Sequence, residues 1–422
     1  MSRRWPRLIA TVLTLSLPAL LLAGACSAQD VPPAGAGAAA AAASAAPDVP
    51  PPPLGCAAAI LVDPETRQVL YEHNADARLP VASLTKMMTA LLVAESGDLD
   101  RTVTVSANAA AVGETSMHLV AGEQIKLHDL LMGALLPSAN DAAAACAEAV
   151  SGSIGAFIDL MNQRAAELGM SNTNFRNPHG LHEEGHVSSA RGMATLAVQV
   201  MGRAELRPIV RTKQATVPWP SHEGDRVLVN RNQLLERWDV CDGIKTGYTK
   251  QAGRCLAASA FVDGWRLICV VLGAKDSWTD AHMLLQWGFD SYYKVALVST
   301  DVDRATIEVR GGAVDTLQAR PAADVIAVLP RTCRPEGPAL LDQVTEAPVH
   351  AGDVVGRLAV IMPDDSTRTV DLLALEDVAQ SPWAMILRER WTLGALAAVL
   401  ALAVGVLAHG AVAEAVGARR RR

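Results

Sequence analysis

Ser83 and Lys86 stand three residues apart in Val81-Ala82-Ser83-Leu84-Thr85-Lys86-Met87-Met88-Thr89-Ala90, a spacing that puts both side chains on one face of a helix. A lysine amine within reach of a serine hydroxyl can take its proton and make it a nucleophile. The amine must be neutral to do so, which requires burial or a neighbouring cation to pull its pKa well below ~10.4. A helix opening at Ser83 adds positive potential where an oxyanion would develop. The same residues also fit a plain helix start with a capping serine and a solvated lysine, so the pair takes its meaning from the rest of the chain.

Two further groups supply that context. Ser138-Ala139-Asn140-Asp141 follows a predicted helix over 127–136, stopped by Pro137, and precedes an alanine-rich helix over 142–150. A loop between two helices can present two short polar side chains to a cleft. Lys245-Thr246-Gly247-Tyr248 comes just ahead of two long apolar strands, 253–262 and 264–273, joined at Asp263-Gly264, and so belongs to a sheet. An ammonium and a hydroxyl there can grip a carboxylate, and Gly247 lets another backbone approach closely. His179, His182 and His186 lie in a loop without the helical His-x-x-x-His spacing, and none of the seven cysteines forms a Cys-x-x-Cys pair. The pattern predicts no metal site and no cofactor.

The elements that must position these groups follow from the patterning. Residues 86–95 are almost uninterruptedly apolar, the signature of a helix buried nearly all round, and that burial is the desolvation Lys86 needs. A hairpin of strands 56–63 and 68–72 delivers the chain to Ser83. Helices are expected over 156–168, 188–201 and 280–295, and short strands over 212–218 and 225–229. Past Ser299 short strand-like runs follow, at 306–310, 314–319, 325–329, 354–361 and 369–375. They predict a small β domain with no clustered Ser/His/Asp or Cys. The fold class is α/β in the α+β sense.

The chain of 422 residues is half hydrophobic and carries a formal charge of −7, enough for one large or two medium domains. No patch suggests nucleic acid. Residues 1–25 have the form of an export signal: Arg3, Arg4 and Arg7, an apolar run, then Ala23, Gly24 and Ala25. Cys26 leaves lipoprotein processing open beside ordinary cleavage, and the remaining six cysteines allow ~15 disulfide pairings that sequence cannot choose between. An Ala/Pro-rich spacer occupies 26–54, the catalytic domain 55–296 and the β domain 297–380. An uncharged segment within 391–410, followed by a basic tail over 411–422 with Arg419 to Arg422, is expected to be a single transmembrane anchor. On that topology the domain over 55–296 is expected on the outer side of the cell membrane.

Ser83-x-x-Lys86, Ser138-x-Asn140 and Lys245-Thr246-Gly247, in that order within one domain-sized span, resemble the penicillin-binding protein and serine β-lactamase superfamily. The detailed wording of Leu79 to Lys86, Asn177-Pro178-His179-Gly180-Leu181, Asn230-Arg231-Asn232 and Lys245-Thr246-Gly247-Tyr248-Thr249 is similar to the low-molecular-mass D-alanyl-D-alanine carboxypeptidases of peptidase family S11. Gly192 departs from it, standing where that family has aspartate. The resemblance implies a penicillin-sensitive enzyme that forms an acyl-enzyme on peptidoglycan stem peptides ending in D-Ala-D-Ala. Ser83 is then the nucleophile, Lys86 the general base, Ser138 the proton relay, and Asn140 a contact to Lys86 and to the peptide amide. Lys245 and Thr246 bind the terminal carboxylate beside Gly247, and the N–H groups of Ser83 and Tyr248 form an oxyanion hole, each donor worth about 3 kcal/mol. A secreted β-lactamase would need a deacylating glutamate. Glu167 follows the second motif but has the setting of a helix surface residue. A catalytically silent, anchored wall-binding protein would suit a chain lacking one of the motifs.

Overall fold

The computed structural model describes residues 47–386, save 221, 336, 363 and 364, together with 394, 396–406 and 408. The export-signal segment, Cys26, most of the spacer, Trp391 and the basic tail lie outside the described residues.

The sheet that carries the site is antiparallel and five-stranded: β1 (Ala58–Val62), β2 (Val69–His73), β3 (Cys241–Thr249), β4 (Gly253–Val262) and β5 (Trp265–Ala274), in the order β2-β1-β5-β4-β3. All five residues of β1 are buried, because successive side chains point to opposite faces and each face meets its own core. Ala58, Ile60 and Val62 join the helical core, whereas Ala59 and Leu61 join a second core under α6 (Ser277–Ser291). Gly288 of α6 allows the close approach: a Cβ there would lie 2.6 Å from Leu61 and 2.8 Å from Leu267.

On the other face, α1 (Lys86–Glu95) is ringed by α2 (Leu127–Leu135), α3 (Asn140–Ser151), α4 (Ile154–Glu167) and α5 (Ala190–Gly202). Residues Lys86 to Val93 are all buried, as the uninterrupted apolar run predicts. The alanines of α3 let it pack tightly against α1 and α2, and α3 ends where Gly152 takes a left-handed C-cap, φ 77°. At the N-terminus of α5, Ser189 caps the backbone N–H of Gly192. A Cβ on Gly192 would meet the Thr173 and Ser188 hydroxyls at 2.9 and 3.0 Å, and these two bond to each other at 2.7 Å. A side chain at position 192 would have to displace this hydroxyl pair.

The last helix of the catalytic half stops sooner than its apolar pattern suggests. Residues beyond Ser291 form a strand, β6 (Tyr292–Val298), paired with β7 (Val325–Pro330). Cross-strand pairing overrides the helical period here, because Tyr292 belongs to the core under α6 and Val298 to the core of the β domain. The ribbon is tied to the first hairpin by Gln68 Nε2 to the Val328 carbonyl (3.0 Å) and by the Tyr292 hydroxyl to the Leu70 carbonyl (3.2 Å). Beyond it a six-stranded sheet closes over Ile307, Leu317, Leu358 and Leu372. Cys56, Cys146, Cys241, Cys255 and Cys269 are free thiols among the described residues. Among those residues no single helix is long and apolar enough to cross a membrane; Leu396–Val406 is a short apolar helix.

Candidate active site

The backbone around Ser83 is strained. Ala82, with φ 45°, opens a 3-10 turn, Ala82–Thr85, and the α-helix proper begins only at Lys86. A non-glycine residue at positive φ persists only where its surroundings hold it. The Ala82 carbonyl accepts from the Thr85 hydroxyl (2.8 Å), which lies 2.8 Å from His186 Nε2. His186 Nδ1 accepts the backbone N–H of Arg176 (3.1 Å). Burial lowers the His186 pKa to about 4, so the ring is neutral with its proton on Nε2, donated to Thr85. Gly180 completes the clamp, with φ 85° and so little room that a Cβ would sit 2.0 Å from the Ala82 oxygen.

Lys86 is fully buried, and its Nζ lies 3.1 Å from Ser83 Oγ, 2.7 Å from Asn140 Oδ1 and 2.7 Å from the His179 carbonyl. Its pKa is held well below the lysine range, first by desolvation, then by the charges of Lys245 and Arg231, with Asp141 and Glu114 opposing. A neutral amine has two N–H donors and one lone pair. The two carbonyl oxygens can only accept, so they take both N–H groups and leave the lone pair to the Ser83 hydroxyl. Asn140, the first residue of α3, donates its Nδ2 to the Gly113 carbonyl (3.0 Å), which fixes its oxygen toward the lysine.

Ser138 also has positive φ, 69°, and its Oγ is buried without a hydrogen-bond partner while it lines the cleft. Lys245 is buried, bonded to the Thr246 carbonyl (3.0 Å), and pushed down to about 7 by burial first and Arg231 second. Strand β3 is the sheet edge, so alternate backbone groups turn from β4 toward the cleft. Gly247 brings that edge against Ser83: a Cβ there would lie 3.0 Å from the Ser83 backbone nitrogen. Ser83, Ser138, Asn140, Thr246, Gly247 and Tyr248 thus line one cleft of about 470 Å³. Lys86 and Lys245 lie buried beside it.

Motif reading alone missed several members of the site. The His179 carbonyl, Thr85 and Arg231 were visible only as parts of family wording, and His186 only as a loop histidine without metal-ligand spacing. Asp141 was visible only as the residue after Asn140; fully buried, it accepts from Ser116 Oγ (2.6 Å) and the backbone N–H groups of Met117 (3.0 Å) and Leu119 (3.1 Å). It pins the loop that brings Glu114 and Thr115 to the cleft. Glu167, the glutamate weighed as a deacylating base, instead pairs with Arg164 at 3.0 Å on the helix surface.

The model of the D-alanyl-D-alanine carboxypeptidase family, peptidase S11, matches residues 44–276. The D-alanyl-D-alanine carboxypeptidase DacF of Bacillus subtilis is 32% identical over 356 residues, covering 79% of this chain and 90% of its own. Penicillin binding protein 5 from Haemophilus influenzae is 30% identical with a TM-score of 0.65, over 79% of this chain and 100% of its own. The Streptomyces K15 DD-transpeptidase is 29% identical with a TM-score of 0.55, over 57% of this chain and 100% of its own. Ser83 on its strained turn, the buried Lys86 and the Lys245-Thr246-Gly247 edge strand therefore sit in a chain that belongs to the D-alanyl-D-alanine carboxypeptidases of peptidase family S11.

Proposed function

We propose that this carboxypeptidase removes the terminal D-alanine from peptidoglycan stem pentapeptides through an acyl-enzyme on Ser83. The observation that carries the mechanism is the Lys86 environment, with both N–H groups spent on carbonyls and the lone pair facing Ser83 Oγ. Lys86 takes the hydroxyl proton as Oγ bonds to the penultimate D-alanine carbonyl carbon. The backbone N–H groups of Ser83 and Tyr248 hold the oxyanion. The unpartnered Ser138 hydroxyl passes the proton from Lys86 to the leaving amine as the C–N bond breaks. Lys245 and Thr246 hold the carboxylate of the departing residue, Asn140 the amide on the acyl side. Water then attacks the ester, with Lys86 again taking a proton, and releases the shortened peptide.

The reading extends to place and partners. An exported chain, held at the cell membrane by a helix within 391–410 with its catalytic domain toward the wall, would meet its substrate where it is made. The apolar helix Leu396–Val406 supports such an anchor, as do the flanking arginines of the sequence.

Penicillin tests the chemistry directly. Its strained amide and carboxylate should be gripped like the D-Ala-D-Ala terminus, and a penicilloyl ester on Ser83 should persist for minutes or longer, because no carboxylate is bonded to Ser83. Intact-mass spectrometry with peptide mapping, beside an assay of D-alanine release from a pentapeptide, gives the answer. Rapid multiple turnover of penicillin would point to a β-lactamase instead, and a folded protein with neither adduct nor D-alanine release would point to a silent wall-binding role.

A further inference from the structure

Glu114 is the one acidic residue among those lining the cleft, whose other charged members are Arg231 and Arg254. It is exposed, and no ion pair or hydrogen bond engages its carboxylate among the described residues. Its position is nevertheless built. Gly113 on one side accepts from Asn140 Nδ2 (3.0 Å), and Thr115 on the other accepts from the Asn140 backbone N–H (2.7 Å). Asp141 holds the next turn through Ser116 and Met117. Glu114 itself is at φ 65°, so a loop anchored on both sides presents this carboxylate at the Asn140 wall.

The two arginines are placed differently. Arg231 lies near enough to Lys245 and Lys86 for its charge to depress both, which puts it at the end that receives the terminal carboxylate. Arg254 stacks over the Tyr248 ring (5.8 Å) and the Trp278 ring (5.3 Å) on the sheet side. On the carboxypeptidase reading Asn140, which bonds Lys86, holds the amide on the acyl side of the scissile bond. The cleft is thus cationic where the leaving D-alanine sits and carries a lone unpaired anion beside the part of the peptide that stays on Ser83.

We propose that Glu114 is a specificity-determining residue that selects donor peptides bearing a free ammonium on the side chain that precedes the D-Ala-D-Ala terminus. The inference rests on the carboxypeptidase reading above and adds to it the chemistry of the acyl chain. A peptide whose amine is still free carries the matching charge; one whose amine has been acylated, as happens when such a side chain is joined to another peptide, does not. The enzyme would then trim unjoined peptides in preference to joined ones.

Two probes test this: an L-Lys-D-Ala-D-Ala peptide with a free ε-amine and the same peptide with that amine acetylated. D-alanine release should favour the free amine in kcat/KM by about fivefold at low ionic strength, the upper range for a single solvent-facing ion pair. The preference should lie in KM rather than kcat, and added salt should erode it. Glu114→Gln should bring the ratio of the two probes close to one, Glu114→Lys should invert it, and Glu114→Asp should keep it above one. An unchanged ratio in Glu114→Gln, or wild-type rates equal for the two probes, would overturn the inference while leaving the carboxypeptidase reading intact. Glu114→Gln slowing both probes equally in kcat and prolonging the penicilloyl ester would also overturn it, and would make Glu114 an acyl-hydrolysis group instead. Release of D-alanine from neither probe by the wild-type protein would sink the carboxypeptidase reading and the inference with it.

Discussion

The two halves of this protein bury different things. Under the β domain the core is Val298, Ile307, Leu317, Leu358, Leu372 and similar residues, and its ion pairs, such as Arg357 with Asp342, lie on the surface. The catalytic half buries Lys86, Lys245, Asp141 and the ion pair of Glu123 with Arg226, and it holds Ala82 and Ser138 at positive φ beside the cleft. Burying charge without full pairing costs stability, and a fold tolerates it where perturbed ionisation serves chemistry. The half that buries charge is the half that holds the cleft.

The most severe way to break that contrast is to remove the buried pair. Ser83→Ala and Lys86→Ala should each reduce turnover by at least about ten-thousandfold, and the double variant should be no slower than either, because nucleophile and base act as one unit. A double variant clearly slower than both singles would mean that another group can activate Ser83. Circular dichroism should show both singles folded.

A smaller effect is expected one step away. Thr85→Val keeps the shape of a buried side chain and removes the hydroxyl that joins His186 to the Ala82 carbonyl. The strained turn should relax, slowing Ser83 acylation by penicillin by about tenfold to a hundredfold, the scale of a small misplacement of a reacting group. An acylation rate unchanged from wild type would show that Gly180 and the helix alone hold the turn.

How far the sequence went in describing this site follows from contact distance along the chain. Ser83 and Lys86 are legible because their chemistry lies within one helical turn, and Lys245, Thr246 and Gly247 because they adjoin on one strand. The sheet was legible too: β4 and β5 are long apolar runs around an Asp-Gly turn. His179 reaches Lys86 across 93 positions and His186 reaches Thr85 across 101, so no local pattern announces either. Glu114 belongs to no motif, and its place in the cleft depends on Asn140 and Asp141 holding its loop. The end of α6 is not legible because Tyr292 to Val298 is apolar enough for a helix, and only its pairing with Val325–Pro330 makes it a strand.

Acid should separate the halves without any mutation. His186 and His179 are depressed to about 4 and about 3 from an ordinary 6.5, in both cases by burial first. Each is neutral in the folded state and takes a proton more readily when unfolded, so the stability they contribute is complete above pH 6.5. It is lost as pH falls from there through about 4 and then about 3. Thermal melts between pH 7 and pH 4 should lose stability in the catalytic half. His186→Gln should flatten that decline, and an unaltered slope in this variant would place the acid sensitivity elsewhere.

The smallest effect on turnover is expected in the β domain. Leu372 is completely buried there and lies against Gly356, so Leu372→Ala should cost about 2–5 kcal/mol of that domain's stability. Yet kcat and KM for D-alanine release should stay within twofold of wild type at temperatures where the domain remains folded, because no residue of the six-stranded sheet lines the catalytic cleft. The path by which this could fail is specific. Gln68 and Leu70 bond to Val328 and Tyr292 of the connecting ribbon, and β2 pairs with β1 of the catalytic sheet. A marked fall in kcat on Leu372→Ala would therefore mean that strain passes along this ribbon, and that the two halves are one mechanical unit.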